Sequence, residues 1–496
     1  MTQLSTALQE IVRINQAVNV LNWDQLVNMP PGGAAGRAEQ IAVLEGIAHA
    51  KLTDPRIGDL IARAQDEVAG EEPDGNEACL VRVASREYQQ AARLPQELVM
   101  EYARTAGNAE PVWRQARAQN DYAAFAPWLQ KLIVLQRRVA EHLGYEDQPF
   151  DALVDRAEPG MTTASVRAIF ADLRPRLADL VRRIAPQVQS VDDAPLFRTY
   201  DEATQERLGR DVAQRFGYDF TRGRLDRTTH PFEIPFGRDD VRITTRYDTR
   251  FLPMALMGTM HETGHALYEQ GIAPELDATV LGRGVSAGMH ESQSRLWENY
   301  VGRSLPFWHW YYPALRSAFP GVLDDVSLEH FYRALNKVQP SLIRVEADEV
   351  TYCLHIMLRF ELEIALFDGT LTVEDAPAAW NAAMQEYVGV TPPNDSEGIL
   401  QDIHWSWGFG GFQGYALGNI IASQLWETVL AAHPALPEEI RHGEFTTLRE
   451  WLRLQVHQHG RKFDPADLVQ RVTGRPLTSD AYITYLTTKF GGIYAL

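Results

Sequence analysis

Apolar residues recur at three- and four-residue spacing along most of this 496-residue chain. The stretches "LSTALQEIVRINQAVNVL" (4–21), "RAEQIAVLEGIAHAKL" (37–52), "TTASVRAIFADLRPRLADLVRRI" (162–184) and "VEADEVTYCLHIMLRFELEIALF" (345–367) all follow this spacing. A 3.6-residue period puts those apolar positions on one helix face, and such a face must be buried against another element. Breakers separate the helical runs: "MPPGG" at 29–33, "EPGMT" at 158–162 and "TPPND" at 391–395. Thr162 or Thr163 supplies a helix cap after the second of these. Only "DDVRITTRYD" (239–248) reads as strand, with β-branched residues and room for a hairpin partner nearby. No repeat, low-complexity tail or long linker divides the chain. The expectation is a mainly α fold in one domain, 1–496, with a small β element just before a helix rich in chemistry.

The charge balance narrows the partners. Lys and Arg number 47 against 66 Asp and Glu, a net charge of −19. Binding a phosphate backbone needs clustered cations, so nucleic acid is not expected. No apolar run is long enough to span a bilayer, and the start, "MTQLSTALQEIVRINQ", lacks the pattern of a secretory signal. Only two cysteines occur, Cys79 and Cys353, too few for a disulfide framework or a Cys-rich zinc site. A reducing cytoplasm is the expected location.

The chemistry concentrates in "MGTMHETGHALYEQG" (257–271). Positions i and i+4 share one helix face, so His261 and His265 can aim imidazole nitrogens at one ion. Glu262 lies one residue round, able to reach a metal-activated water as general base without ligating. Pro253 and Gly271 bracket the helix as start and stop signals. The metzincin continuation needs Gly at 268 and His at 271, and the chain has Tyr268 and Gly271 instead. A glutamate from a following segment is then the expected third ligand, with one position left open for water.

Four glutamates compete for that place. Glu269 lies one turn past His265, where its side chain is expected to reach solvent. Glu275 sits in a loop beside Pro274. Glu291 and Glu298 lie on "GMHESQSRLWENYVG" (288–302), read as a second helix. Glu291 falls in its first turns, where the helix dipole favours a carboxylate. Spacing alone does not separate Glu291 from Glu298.

Further motifs occur in a fixed order: "HPF" (230–232), "DVRIT" (240–244), "HETGH" (261–265), "HESQ" (290–293), "IRVEAD" (343–348) and "GILQDIHW" (398–405). Together with "WDQLVNMPPGGAAGRAEQ" (23–40), they closely resemble the carboxypeptidase Taq family of metallocarboxypeptidases, over nearly the whole chain. The resemblance implies a helical body with a deep active-site groove. It implies metal ligands at His261, His265 and Glu291, and Glu262 as general base. It also implies one divalent ion, zinc or in some members cobalt or another metal, and a homodimer.

The remaining chemistry is assigned by residue type. An oxyanion forms when water adds to a peptide carbonyl, so a donor beside the metal is required, and His404 and Tyr415 are the candidates. A carboxypeptidase must also read a free terminal carboxylate, which the fork of an arginine matches. Arg344 is the first choice and Arg242 the second. The competing reading of Arg344 is a scaffold pair with Asp348 at the start of a helix. His230, before Pro231, is expected to shape the groove wall. The function read from the sequence is hydrolysis of the C-terminal peptide bond of peptides. The alternatives are an endo-acting oligopeptidase with the same metal site, or a non-catalytic helical metal-binding protein, against which the intact Glu262 speaks.

Overall fold

The computed structural model describes the backbone of all 496 residues and every side chain except those of residues 31 and 35. Helices carry most of the chain, as the apolar periodicity requires. The N-terminal helices Thr2–Val27, Ala34–Leu52, Pro55–Val68 and Asn76–Arg93 form their own layer. Leu4, Leu8 and Ile11 pack there with Ile57, Ile61 and Cys79, and also against Ile272, Leu276 and Leu281, which follow the HETGH helix. Two larger cores lie beneath. One gathers Leu129, Phe170, Phe360 and Phe490, the other Phe216, Met260, Trp297 and Leu452. Thr162 caps the helix Thr163–Ile184 through a reciprocal bond with Ser165.

The strand expected near 239–248 forms as β3 (Val241–Thr245). Its hairpin partner is β2 (Glu233–Pro235), antiparallel, with Ile234 opposite Arg242. A third strand, β1 (Leu225–Arg227), pairs in parallel on the other side of β3, giving the order β1-β3-β2. Three residues of mixed polarity carried no readable period. The sheet lies on the helix Leu252–Gly271, where Thr245 meets Thr259 at 3.2 Å and the Ala255 carbonyl at 3.3 Å. Trp23 of the first helix docks on the sheet beneath Arg242, whose Cζ lies 4.3 Å from its ring. Asn19 donates to the Pro235 carbonyl of β2 at 3.0 Å. Between this N-terminal layer and the body is a cavity of about 460 Å³, bordered by Leu8, His49, Tyr102, Pro235 and Thr279.

Two segments differ from the sequence reading. The run 288–302 is not one regular helix: it is α-helical over Ala287–Arg295 and π-helical over Leu296–Gly302. Wider π turns insert where side-chain demands outweigh regular hydrogen bonding, and they cluster at functional sites. "IRVEAD" does not open a helix. Arg344–Glu346 is a single 3-10 turn, and the helix begins at Tyr352 and ends at Asp368. Asp348 explains the delay, because its carboxylate accepts from the Gln339, Val350 and Thr351 amides and from the Thr351 hydroxyl. A side chain that bonds local backbone in this way favours a turn over a helix. Among the described residues, no helix is long and apolar enough to cross a membrane.

Candidate active site

Close helix contacts build the site. Gly264, inside the HETGH motif, faces the backbone of helix Ala287–Arg295; a Cβ there would stand 2.5 Å from the Gln293 carbonyl oxygen. Gly418, on helix Phe412–Ala432, is held the same way, since a Cβ would lie 2.5 Å from Cγ of Glu291. Only glycine lets these three helices approach so closely, and the approach drives Glu291 toward the two histidines.

The imidazoles of His261 and His265 stand one turn apart, with ring centroids 5.0 Å apart and planes at 78°. Glu291 Oε2 lies 3.5 Å from His261 Nε2 and 3.4 Å from His265 Nε2. Among the described residues, these three form the one group of His, Cys, Asp or Glu side chains convergent enough to hold a metal ion. Two neutral imidazole nitrogens and one carboxylate oxygen suit a borderline divalent ion such as zinc. Glu262, next to His261 on the same helix, is buried and 6% exposed. Burial, with Glu291 and Glu298 nearby, pushes the Glu262 pKa up to about 7 against the pull of His261. A base poised near neutrality is what proton transfer at a reacting water requires.

The back of each imidazole is also occupied. His261 Nδ1 donates to Glu298 Oε2 at 2.9 Å, which turns Nε2 toward Glu291 and the site. His265 Nδ1 meets His290 Nδ1 at 2.6 Å, and His290 Nε2 meets Glu269 Oε1 at 2.9 Å. The polarity runs one way. Glu269 accepts from His290, His290 accepts from His265, and the Nε2 lone pair of His265 faces the site. Glu269 is therefore not a solvent-facing glutamate, as its sequence position suggested. It is 2% exposed and also accepts from the Gly284 amide at 2.8 Å. The four candidate glutamates thus separate. Glu291 joins the histidines, Glu298 and Glu269 stand behind them, and Glu275 is exposed in the turn Pro274–Leu276.

Arginines hold the carboxylates. Arg295 Nε donates to Glu291 Oε1 at 2.7 Å and Nη1 to Glu298 Oε2 at 3.1 Å, while Arg303 Nη2 reaches Glu298 Oε1 at 3.2 Å. Burial opposes ionisation of Glu291 and Glu298, but Arg295 and His261 outweigh it, and both carboxyls are held well below the ordinary range. Neither Arg295 nor Arg303 emerged from sequence reasoning. The i, i+4 spacing of Glu291 and Arg295 was the available signal.

A second charged cluster lies on the helix Tyr352–Asp368 and the loop that carries "QDIHW". Arg344 does not pair with Asp348. Its Nε and Nη2 each lie 2.9 Å from Asp402 Oδ1, and its Nη1 donates to the Tyr352 hydroxyl at 3.1 Å. Arg359 Nε takes the other oxygen of Asp402 at 2.6 Å. Despite burial, the two guanidiniums hold the Asp402 pKa far below the carboxylate range. His404 Nε2 lies 2.9 Å from the Tyr415 hydroxyl, and the Arg344 Cζ is 5.0 Å from the Tyr415 ring. Burial, then Arg344, push the His404 pKa down to about 3, so the ring is neutral. Its Nδ1 is buried without a partner. Glu363 anchors this loop, accepting from Trp405 Nε1 and from the Gly410 amide, each at 3.0 Å. His230 stands exposed on the turn before β2, in the electrostatic field of Arg344, Asp402 and His404. Arg242 is engaged elsewhere: Asp240 takes its Nε and Nη2 at 2.9 Å, and it lies against Trp23 and Phe236. The structure gives it no contact with the His–Glu cluster.

The carboxypeptidase Taq (M32) metallopeptidase family profile matches residues 3–490. The chain is 42% identical over 482 residues to thermostable carboxypeptidase 1 of Thermus thermophilus, covering 95% of this chain and 94% of that one. It is 39% identical over 490 residues to carboxypeptidase 1 of Bacillus subtilis, covering 99% and 97%. The crystal structure of an M32 carboxypeptidase from Deinococcus radiodurans superposes with a TM-score of 0.95 at 40% identity, over 100% of this chain and 99% of that one. With the whole chain matched and the HETGH helix facing Glu291, the protein belongs to the carboxypeptidase Taq family of M32 metallopeptidases.

Proposed function

We propose that this metallocarboxypeptidase removes the C-terminal residue of peptides, using one divalent ion held by His261, His265 and Glu291, with Glu262 as general base. The convergence of two imidazole nitrogens and one carboxylate oxygen, with Glu262 buried next to His261 on the same helix, carries the reading. Zinc is the ion this donor set favours; cobalt or another divalent ion fits the same donors. When bound, the ion supplies Lewis acidity that acidifies water and polarises the scissile carbonyl.

Glu262 accepts a proton from the attacking water and delivers it to the leaving amine. Tyr415 donates toward the developing oxyanion, with His404 Nε2 beside its hydroxyl to orient it. Arg344 and Arg359 share one carboxylate, Asp402, so this cluster keeps one positive charge in excess. That excess supports Arg344 as the group that reads the substrate's terminal carboxylate. His230 forms part of the groove wall, and Arg242 ties the sheet to the first helix as a supporting residue. Residues 1–496 act as one catalytic unit in this proposal. The homodimer rests on the family resemblance. The cytoplasm is supported by two cysteines that are both free and buried.

The test is product analysis. A metal-loaded sample incubated with an N-terminally blocked peptide should release free amino acids one at a time from the C-terminus. Internal fragments without free amino acids would overturn the exopeptidase assignment.

A further inference from the structure

Glu291 has only one carboxylate oxygen available to an ion. Its Oε1 is taken by Arg295 Nε at 2.7 Å. Its Oε2 faces the two imidazoles and accepts only the longer Ser294 hydroxyl bond of 3.1 Å. The same guanidinium holds Glu298, the acceptor behind His261, at 3.1 Å. Arg295 itself cannot move away. Its side chain is 13% exposed, and Cζ lies 4.1 Å from the Tyr352 ring. It reaches back one turn to Glu291 and forward into the π-helical turn to Glu298.

Glu262, Glu291 and Glu298 are three buried carboxyls, faced by Arg295 and Arg303. Arg295 thus sits directly on a ligand carboxylate, where a guanidinium opposes a divalent ion held by the other oxygen. A structural metal site has no use for such an opponent; a catalytic one gains a more electron-poor ion by it.

We propose that Arg295 is a positioning residue that tunes the metal: it confines Glu291 to one free oxygen and draws charge from that carboxylate, which makes it a weaker donor to the ion. This rests on the assignment of His261, His265 and Glu291 as ligands. Tight ion binding is given up for Lewis acidity. Arg303, one carboxylate further away, adds to the same effect more weakly.

Loss of a tuning charge tightens ion binding, whereas loss of a scaffold residue weakens it. The metal-depleted full-length chain would be titrated with Zn²⁺ against a chromophoric chelator, followed by kcat on the zinc-loaded protein. Arg295→Gln removes the charge and keeps an N–H donor for Glu291. It should bind Zn²⁺ about 10-fold or more tightly than the parent and turn over about 10-fold more slowly. Arg295→Lys keeps the charge without the fork and should stay within about threefold of the parent in affinity. Arg303→Gln should tighten binding by a smaller factor. It decides the question if Arg295→Gln does not fold. Weaker or unchanged Zn²⁺ affinity on loss of either positive charge would overturn the proposal and leave these arginines as scaffold. If instead His265→Ala bound Zn²⁺ as tightly as the parent, the ligand assignment itself would be at fault.

Discussion

Two buried charged clusters meet at Tyr352, which lies under Arg295 and accepts from Arg344, and they are built with opposite excess. Around the histidines, Glu262, Glu291 and Glu298 outnumber Arg295 and Arg303. Beyond Tyr352, Arg344 and Arg359 outnumber their one partner, Asp402. Buried charge is costly unless paired, and each cluster leaves a surplus of one sign. In the proposed reaction the first would take a cation and the second the carboxylate of a peptide end. The lesson is that a buried ion network is read best by its imbalance, since the paired part could be replaced by scaffold.

The comparison breaks most severely if the first cluster loses a ligand. Glu291→Ala should abolish both metal content and turnover. Glu298→Ala should keep the ion, with affinity lower by about 10- to 100-fold through the loss of His261's acceptor. Elemental analysis and competition titration of the two variants decide it. Full metal content in Glu291→Ala would move the third ligand to Glu298.

Removing only the proton acceptor should cost less. Glu262→Gln is expected to retain its metal while kcat falls by about 10²–10⁴. Metal content and turnover measured on one preparation separate this from ligand loss. Near-normal turnover would exclude Glu262 as the base.

The positive excess of the second cluster is probed with the substrate. Arg344→Ala should raise the barrier for free-acid peptides by about 2–5 kcal/mol and narrow their advantage over amidated ones. Arg242→Ala, whose arginine is tied to Asp240 and Trp23, should leave that advantage intact. A two-by-two comparison of kcat/KM reads it. An unchanged preference in Arg344→Ala would make Arg344 a partner of Asp402 and nothing more.

The smallest effect concerns the loop that carries His404. Burial pushes the Glu363 pKa up to about 8. A carboxyl raised on folding contributes stability that is present below its unfolded value and lost as pH rises through the folded value. Stability should therefore decline from about pH 5 to about pH 8, by at most about 1.4 kcal/mol per pH unit. Asp402, whose pKa is lowered, contributes the opposite dependence, lost on acidification. Melting temperature against pH for the parent and Glu363→Gln tests this. The alkaline decline should flatten in the variant, and equal slopes would show that Glu363 does not titrate in that range.

Local patterns were enough for much of the molecule. Apolar periodicity marked the helices, β-branched residues marked β3, and the HETGH spacing put two imidazoles on one face because helix geometry is local. Glycine at 264 was visible as a letter, but its purpose was not. Only packing shows that a Cβ there would strike the Gln293 carbonyl. Spacing also could not rank Glu291 over Glu298. Residues seven apart share a helix face, and the π turn that separates their roles forms only under tertiary contacts. The hydrogen-bonded line His265–His290–Glu269 joins two helices, and the Arg344–Asp402–Arg359 cluster joins residues up to 58 apart in the chain. The sequence by itself determined which chemistry is present and which faces carry it. The tertiary structure decided which charges are paired and which are left over, because the partner of a buried ion is chosen by burial and proximity in space, neither of which has a period along the chain.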